Sequence, residues 1–205
     1  MKEYQVTIVG TEDLLQNAFG GKWQRSDDGR LLSPWVAVYD WYDQEDWRRR
    51  LYVRDDGVIY QPAPHIVNAL LQAAGMIEMP GYRSRTFRLA LHNELFVEPR
   101  LLPHRATLAD FEAAFDAALI FTGPAPKEVT EPVYIHQRAS PEDPGFWWMR
   151  PALHRWELSF SILLIDRDFP PEVLREIVDL AGCKVGLGDG RPEFGQFAVT
   201  RFEAI

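Results

Sequence analysis

Hydrophobic and polar residues alternate along residues 4–9 and again along 155–165, where Trp156, Leu158, Phe160 and Ile162 fall on one face. A period of two sends one face to a core and the other to solvent, so both segments are expected as strands, the first ending at Gly10. A different spacing follows Pro62-Ala63-Pro64. Ile66, Val67, Leu70, Leu71 and Ala74 recur every three or four residues, which predicts a helix stopped by Gly75. Pro170-Pro171 opens a second helix of this kind, carrying Val173, Leu174, Ile177, Val178 and Ala181, with Gly182 as its terminator. A glycine-rich loop comes next, and then an apolar run over 194–202 suited to a final strand.

Weaker signals fill the intervals. Thr11 is expected to cap a helical turn over 11–15, and Asp55-Asp56-Gly57 to turn a hairpin between 51–53 and 58–60. Residues 89–97 fit either helix or strand. Thr107 is positioned to cap a short helix through Phe111, Ala114, Phe115 and Ala118. The segment Gly123-Pro124-Ala125-Pro126 separates that helix from a strand at 133–137, and 140–145 reads as an acidic, proline-containing loop. Pairing the first strand and the 64–74 helix with the strand at 133 gives one β-α-β unit, and the last third of the chain gives another. The expected class is therefore α+β, a ferredoxin-like antiparallel sheet with two helices plus an inserted region of hairpin and loops. It is read as one domain over 1–205, with 18–62 and 80–130 as insertions.

Composition narrows the function classes. The chain has 205 residues, enough for a sizeable core, and a single cysteine, Cys183, which excludes an internal disulfide and a cysteine-based zinc site. No apolar run is long enough to span a membrane and the N-terminus has no signal-peptide pattern, so a cytoplasmic location is expected. The net charge of −8 argues against a generic coat for nucleic acid, which needs many cations against phosphates. Any such contact requires a local basic patch.

Four glycines, Gly186, Gly188, Gly190 and Gly195, lie within ten residues and enclose Arg191. Glycine is favoured where the backbone takes positive φ or where another group approaches closely, and an arginine fork matches phosphate or carboxylate. This loop is therefore the first candidate for contact with an anionic backbone. Arg83, Arg85 and Arg88 form a second candidate, and Trp47 with Arg48-Arg49-Arg50 has a similar composition near Asp43, Glu45 and Asp46. Phe146, Trp147, Trp148 and Met149 stand out as either core or a protein-binding tip. The histidines His65, His92, His104, His136 and His154 show no catalytic spacing. The acid pairs Asp27-Asp28, Asp55-Asp56 and Glu142-Asp143 fit turns, so no catalytic residue, metal or cofactor is expected.

Gly186-Leu187-Gly188 followed by Gly195-Gln196-Phe197 resembles the glycine-rich loop of the RAMP superfamily, the proteins of CRISPR RNA-guided complexes, and residues 6–17 resemble their first strand and turn. The stretch from Arg150-Pro151 to Phe160, with residues 188–195, is similar to small uncharacterised phage and prophage proteins. The resemblance implies a ferredoxin-like (RRM/RAMP-type) domain that binds single-stranded RNA or DNA, or assembles along it, through the glycine loop, by self-association or within a larger complex. Two other readings stay open. One is a protein-binding module, such as a viral factor engaging or inhibiting a host nucleoprotein complex. The other is a metal-independent endoribonuclease.

Overall fold

A computed structural model describes residues 1–18, 24–25, 31–32, 47–81, 85–123, 125–139 and 147–205. In chain order the strands and helices are β1 (Lys2–Gly10), β2 (Leu14–Leu15), β3 (Gln24–Arg25), β4 (Leu31–Leu32), β5 (Val58–Pro62), α1 (Ala63–Ala74), α2 (Phe87–Leu91), β6 (Leu95–Glu98), β7 (Leu101–Thr107), α3 (Leu108–Asp116), β8 (Ile120–Phe121), β9 (Val133–Ala139), β10 (Trp147–Leu153), β11 (Glu157–Leu164), α4 (Pro171–Leu180) and β12 (Phe197–Ala204).

The main sheet has the order β12-β1-β11-β6, with every neighbour antiparallel. Helix α1 lies between β1 and β6 in sequence, and α4 between β11 and β12. Numbered as β-α-β-β-α-β, the order is 4-1-3-2, so the fold is ferredoxin-like, the class expected from the sequence. The alternation that predicted β1 and β11 is what buries them. Tyr4, Val6 and Ile8 join Leu158, Phe160, Ile162 and Leu164 in one continuous cluster with Ile66 and Leu70 of α1 and Leu174, Ile177 and Val178 of α4. Full burial of each large aliphatic or aromatic side chain contributes about 1.5–3 kcal/mol.

A second sheet, β2-β10-β9-β8, is built from the long connections, and β5 pairs antiparallel with β7. The hairpin expected at Asp55-Asp56-Gly57 forms, with a bridge between Val53 and Ile59. Thr107 caps α3 through a reciprocal capping box with Asp110.

Four sequence expectations need correction. Residues 11–15 form no helical turn: Leu14 and Leu15 pair with Leu153 and Ala152 of β10, a long-range contact that no local cap signal reveals. The second strand of the first β-α-β unit is β6, not the strand at 133, since β9 lies in the second sheet. The segment 80–130 is accordingly not all insertion, because it supplies that edge strand. Gly182 does not end the last helix, which continues as a π-type turn over Ala181–Val185 and stops at Gly186 with φ 73°.

Gly195 and Gly57 separate two costs of replacing glycine. Both have positive φ, 74° and 83°, but a Cβ on Gly195 would overlap the Leu187 carbonyl, whereas one on Gly57 meets open space. Alanine at positive φ costs about 1–2 kcal/mol, and the overlap adds about 1–3 kcal/mol more. Urea unfolding should show a clearly larger loss for Gly195→Ala than for Gly57→Ala. Equal losses would contradict the packed loop.

Candidate nucleic-acid interface

The glycine loop is folded onto its own chain. Asp189 N donates to Leu15 O at 2.9 Å, Gly195 N to Asp13 O at 2.7 Å, and Leu187 N to Gly195 O at 2.9 Å. A side chain on Gly188 would strike the Leu15 carbonyl, and one on Gly190 the ring of Phe194. The close approaches these glycines permit are thus to Leu15, Phe194 and Leu187, not to an outside molecule. What the loop turns outward is Arg191, Pro192 and Glu193, all three exposed.

Arg191 and the exposed Lys184 line an open groove of about 560 Å³ together with Gln72, Met76 and Pro192. Among the described residues neither cation is paired with a carboxylate. The acid that lines the groove, Asp189, is already engaged. Its Oδ2 accepts from Arg150 Nε at 2.8 Å and its Oδ1 from Gly190 N at 3.0 Å. Such pairing removes the local negative charge that would otherwise offset the two cations.

Gly188 and Asp189 also line a smaller cleft of about 210 Å³, with Gln16, Tyr52, Gln61 and His65. His65 was legible only as a residue at a helix start, yet the fold brings it beside the loop. Burial, and then the charge of Arg191, hold its imidazole below the ordinary value. Gln61 Nε2 donates to His65 Nδ1 at 2.7 Å, while Tyr52 Oη lies 3.5 Å from Nε2. With Nδ1 accepting, a neutral ring keeps its proton on Nε2 and offers a donor rather than a base.

The remaining sequence candidates are dispersed. Arg88 lies against Gly75, one residue from Met76 of the groove, whereas Arg85 lines a separate depression with Met79 and Leu89. Arg83 and Phe146 fall outside the described residues. Arg48 stacks on Trp47 at 4.6 Å and reaches Glu112, and Arg50 is buried with Nη1 on Asn17 Oδ1. Trp147, Trp148 and Met149 begin β10, so the strand sends Trp148 to the face opposite its two neighbours. Met149 packs on the core, and Trp148, 38% exposed, is covered in part by the Arg150 guanidinium at 5.4 Å. These residues therefore do not form one apolar tip. They connect to the glycine loop through Arg150 and Asp189, a link no sequence pattern announced.

The other histidines do not join His65. His92 is exposed beside Asn93. His136 is buried, stacks edge-on against Phe194 at 5.0 Å and donates from Nδ1 to Gly123 O, with burial lowering its pKa. His154 Nδ1 donates to Asp13 Oδ1 at 2.6 Å. His104 is buried in β7.

No protein-family model matches the chain, and no curated protein does. Among solved structures it is similar to a chain of a "Type IV-B CRISPR Complex", at 11% identity and a TM-score of 0.47, over 99% of this chain and 90% of that one. No helix among the described residues is long and apolar enough to cross a membrane.

Burial pushes the His104 imidazole down to about 4 from an ordinary value of about 6.5. The unfolded chain therefore binds a proton between those limits that the folded chain does not. Stability present above pH ~6.5 is lost as the pH falls toward ~4, by about 3 kcal/mol from this group. Urea midpoints measured across this window should fall with acid, and His104→Gln should flatten the slope. An unchanged slope in a folded variant would refute the assignment.

Proposed function

We propose that this protein binds single-stranded nucleic acid across the C-terminal glycine loop without cleaving it, the backbone phosphates meeting Arg191 and Lys184. The observation that carries this reading is the open groove whose two cations have no carboxylate partner among the described residues, while its acid is held by Arg150. The loop that presents Arg191 is tied to β2 and to itself by backbone hydrogen bonds, so little ordering is required on binding. Tyr52 and His65, in the adjoining cleft, supply aromatic rings 5.3 Å apart beside the same loop.

The two central strands lack the stacking rings that RRM domains use. Those domains stack bases on aromatic residues of the exposed sheet face. Here the outward positions of the two central strands are Glu3, Gln5, Thr7 and Val9 on β1 and Glu157, Ser159, Ser161 and Leu163 on β11, with Thr7 and Ser159 hydroxyls 3.0 Å apart. No outward position of these two strands carries a ring, and Phe96, exposed on the same face, stands on the edge strand β6 opposite Leu163.

Anisotropy of labelled single-stranded RNA and DNA, titrated at several salt concentrations, tests the reading. Arg191→Ala and Lys184→Ala should each weaken binding about tenfold at low salt and reduce the salt slope by about 0.7. The RNA and DNA arms identify the sugar preferred. Unchanged affinity in folded variants, or no binding by the wild type, overturns the proposal. Electrophoresis of the same RNA after incubation with a chelator should show it intact. Cleavage that His65→Ala abolishes would instead establish the endoribonuclease reading.

A further inference from the structure

The main sheet ends in two unlike edges. β6 has four residues and runs directly into Pro99, which has no N–H to offer a neighbour. β12 has eight residues and no proline, and among the described residues no strand pairs with its outer side. The start of β12 is covered. A side chain on Gly182 of the π-type turn would strike the Phe197 carbonyl, and Arg175 Nη2 donates to Val199 O at 3.5 Å. Beyond that point Thr200, Arg201, Glu203 and Ala204 are all exposed. The open stretch is therefore residues 200–204, with Phe202 at its centre.

The hydrogen-bond ladder fixes which backbone groups face that opening. Ile205 N donates to Glu3 O at 3.0 Å, so 201, 203 and 205 direct their backbone groups to β1, while Phe202 and Ala204 turn theirs to the open side. A second copy, antiparallel and related by a two-fold axis at Phe202, would pair residues 200–204 with themselves. That register sets Arg201 opposite the partner's Glu203, and Glu203 opposite the partner's Arg201. Both are positions without hydrogen bonds across the edge, where facing side chains come closest. Moving the axis to residue 201 or 203 would instead oppose two arginines or two glutamates. Charge and backbone thus select the same centre.

Within one chain Arg201 Nη2 donates to Glu203 Oε2 at 2.7 Å, yet the two side chains stay 52% and 60% exposed. The guanidinium keeps further N–H donors and the carboxylate a second oxygen, so each can hold another partner. In the pair, the four groups close into a ring of alternating charge.

We infer that β12 is a self-pairing edge, through which two copies of this chain join antiparallel over residues 200–204, Arg201 of each against Glu203 of the other. The inference is independent of the nucleic-acid reading.

Sedimentation equilibrium of the full chain, without nucleic acid, tests it. The wild type should dimerise reversibly with concentration. Arg201→Glu and Glu203→Arg each put like charges across the edge, and each should weaken the dimer about tenfold or more. The two substitutions change the net charge in opposite directions, so a general charge effect would not weaken both. Mixed in equal amounts, the two single variants should pair with each other, since each supplies the charge the other lacks. The double variant Arg201→Glu/Glu203→Arg keeps the pair within the chain and should dimerise like the wild type, even where a single variant fails to fold. A wild type still monomeric at millimolar concentration overturns the inference. So does a folded double variant that stays monomeric, a folded single variant that dimerises as tightly as the wild type, or a mixture of folded single variants that does not associate. None of these outcomes alters the Arg191 and Lys184 titration, so the two readings fail separately.

Discussion

The carboxylate of Asp13 is the contact on which the two sheets and the glycine loop jointly depend. It is buried, and it accepts from Tyr134 Oη at 2.8 Å, Ala125 N at 3.0 Å and His154 Nδ1 at 2.6 Å. Its backbone oxygen accepts from Gly195 N. One residue thus ties together the exit of β1, the second sheet, the segment after α3 and the loop before β12. A buried carboxylate is tolerated only when it is well paired, and each hydrogen bond to a charged group contributes about 1.5–3 kcal/mol. The same proximity, with burial as the larger cause, raises the Tyr134 pKa above its ordinary value.

The geometry of the proposed interface follows from that anchor. Leu15, two residues on, bridges to Asp189 and carries the loop on its backbone. Arg150 then reaches Asp189 from β10, so the second sheet controls the charge of the groove although it contributes no wall to it. A side chain that neutralises an acid can matter as much to an anionic ligand as one that touches it, because both change the same local potential. The long connections of the chain therefore help to shape the proposed interface.

What the sequence could reveal was limited to what is local. β1, β11, α1 and α4 were legible because each buries one face, and burial imposes its period on Tyr4, Val6 and Ile8 or on Leu174, Ile177 and Val178. β6 was ambiguous because four residues are too few to set a period apart from the helix just before it. β9 misled for the opposite reason: Val133, Tyr134, Ile135 and His136 are all buried, so it resembled a central strand of the main sheet. The positive φ of the loop glycines was readable from their type. The identity of what they approach was not, since Leu15 lies more than 170 positions away. His65 and Arg191 meet only through the same tertiary contacts.

The distribution of charge gives the acidic total its physical meaning. The net charge of −8 is not spread evenly over the fold. Glu3, Glu98 and Glu203 register with the outward residues of the main sheet, and Arg201 at its edge is paired with Glu203. Lys184 and Arg191 sit instead at the end where the π-type turn and glycine loop emerge. On the proposed reading, a polyanion meets acidic side chains on the broad sheet face and cations at that end, which would orient the encounter. Raising the salt shortens the reach of both effects together. Orientation and affinity should consequently weaken in parallel, which distinguishes a directed electrostatic surface from two isolated contacts.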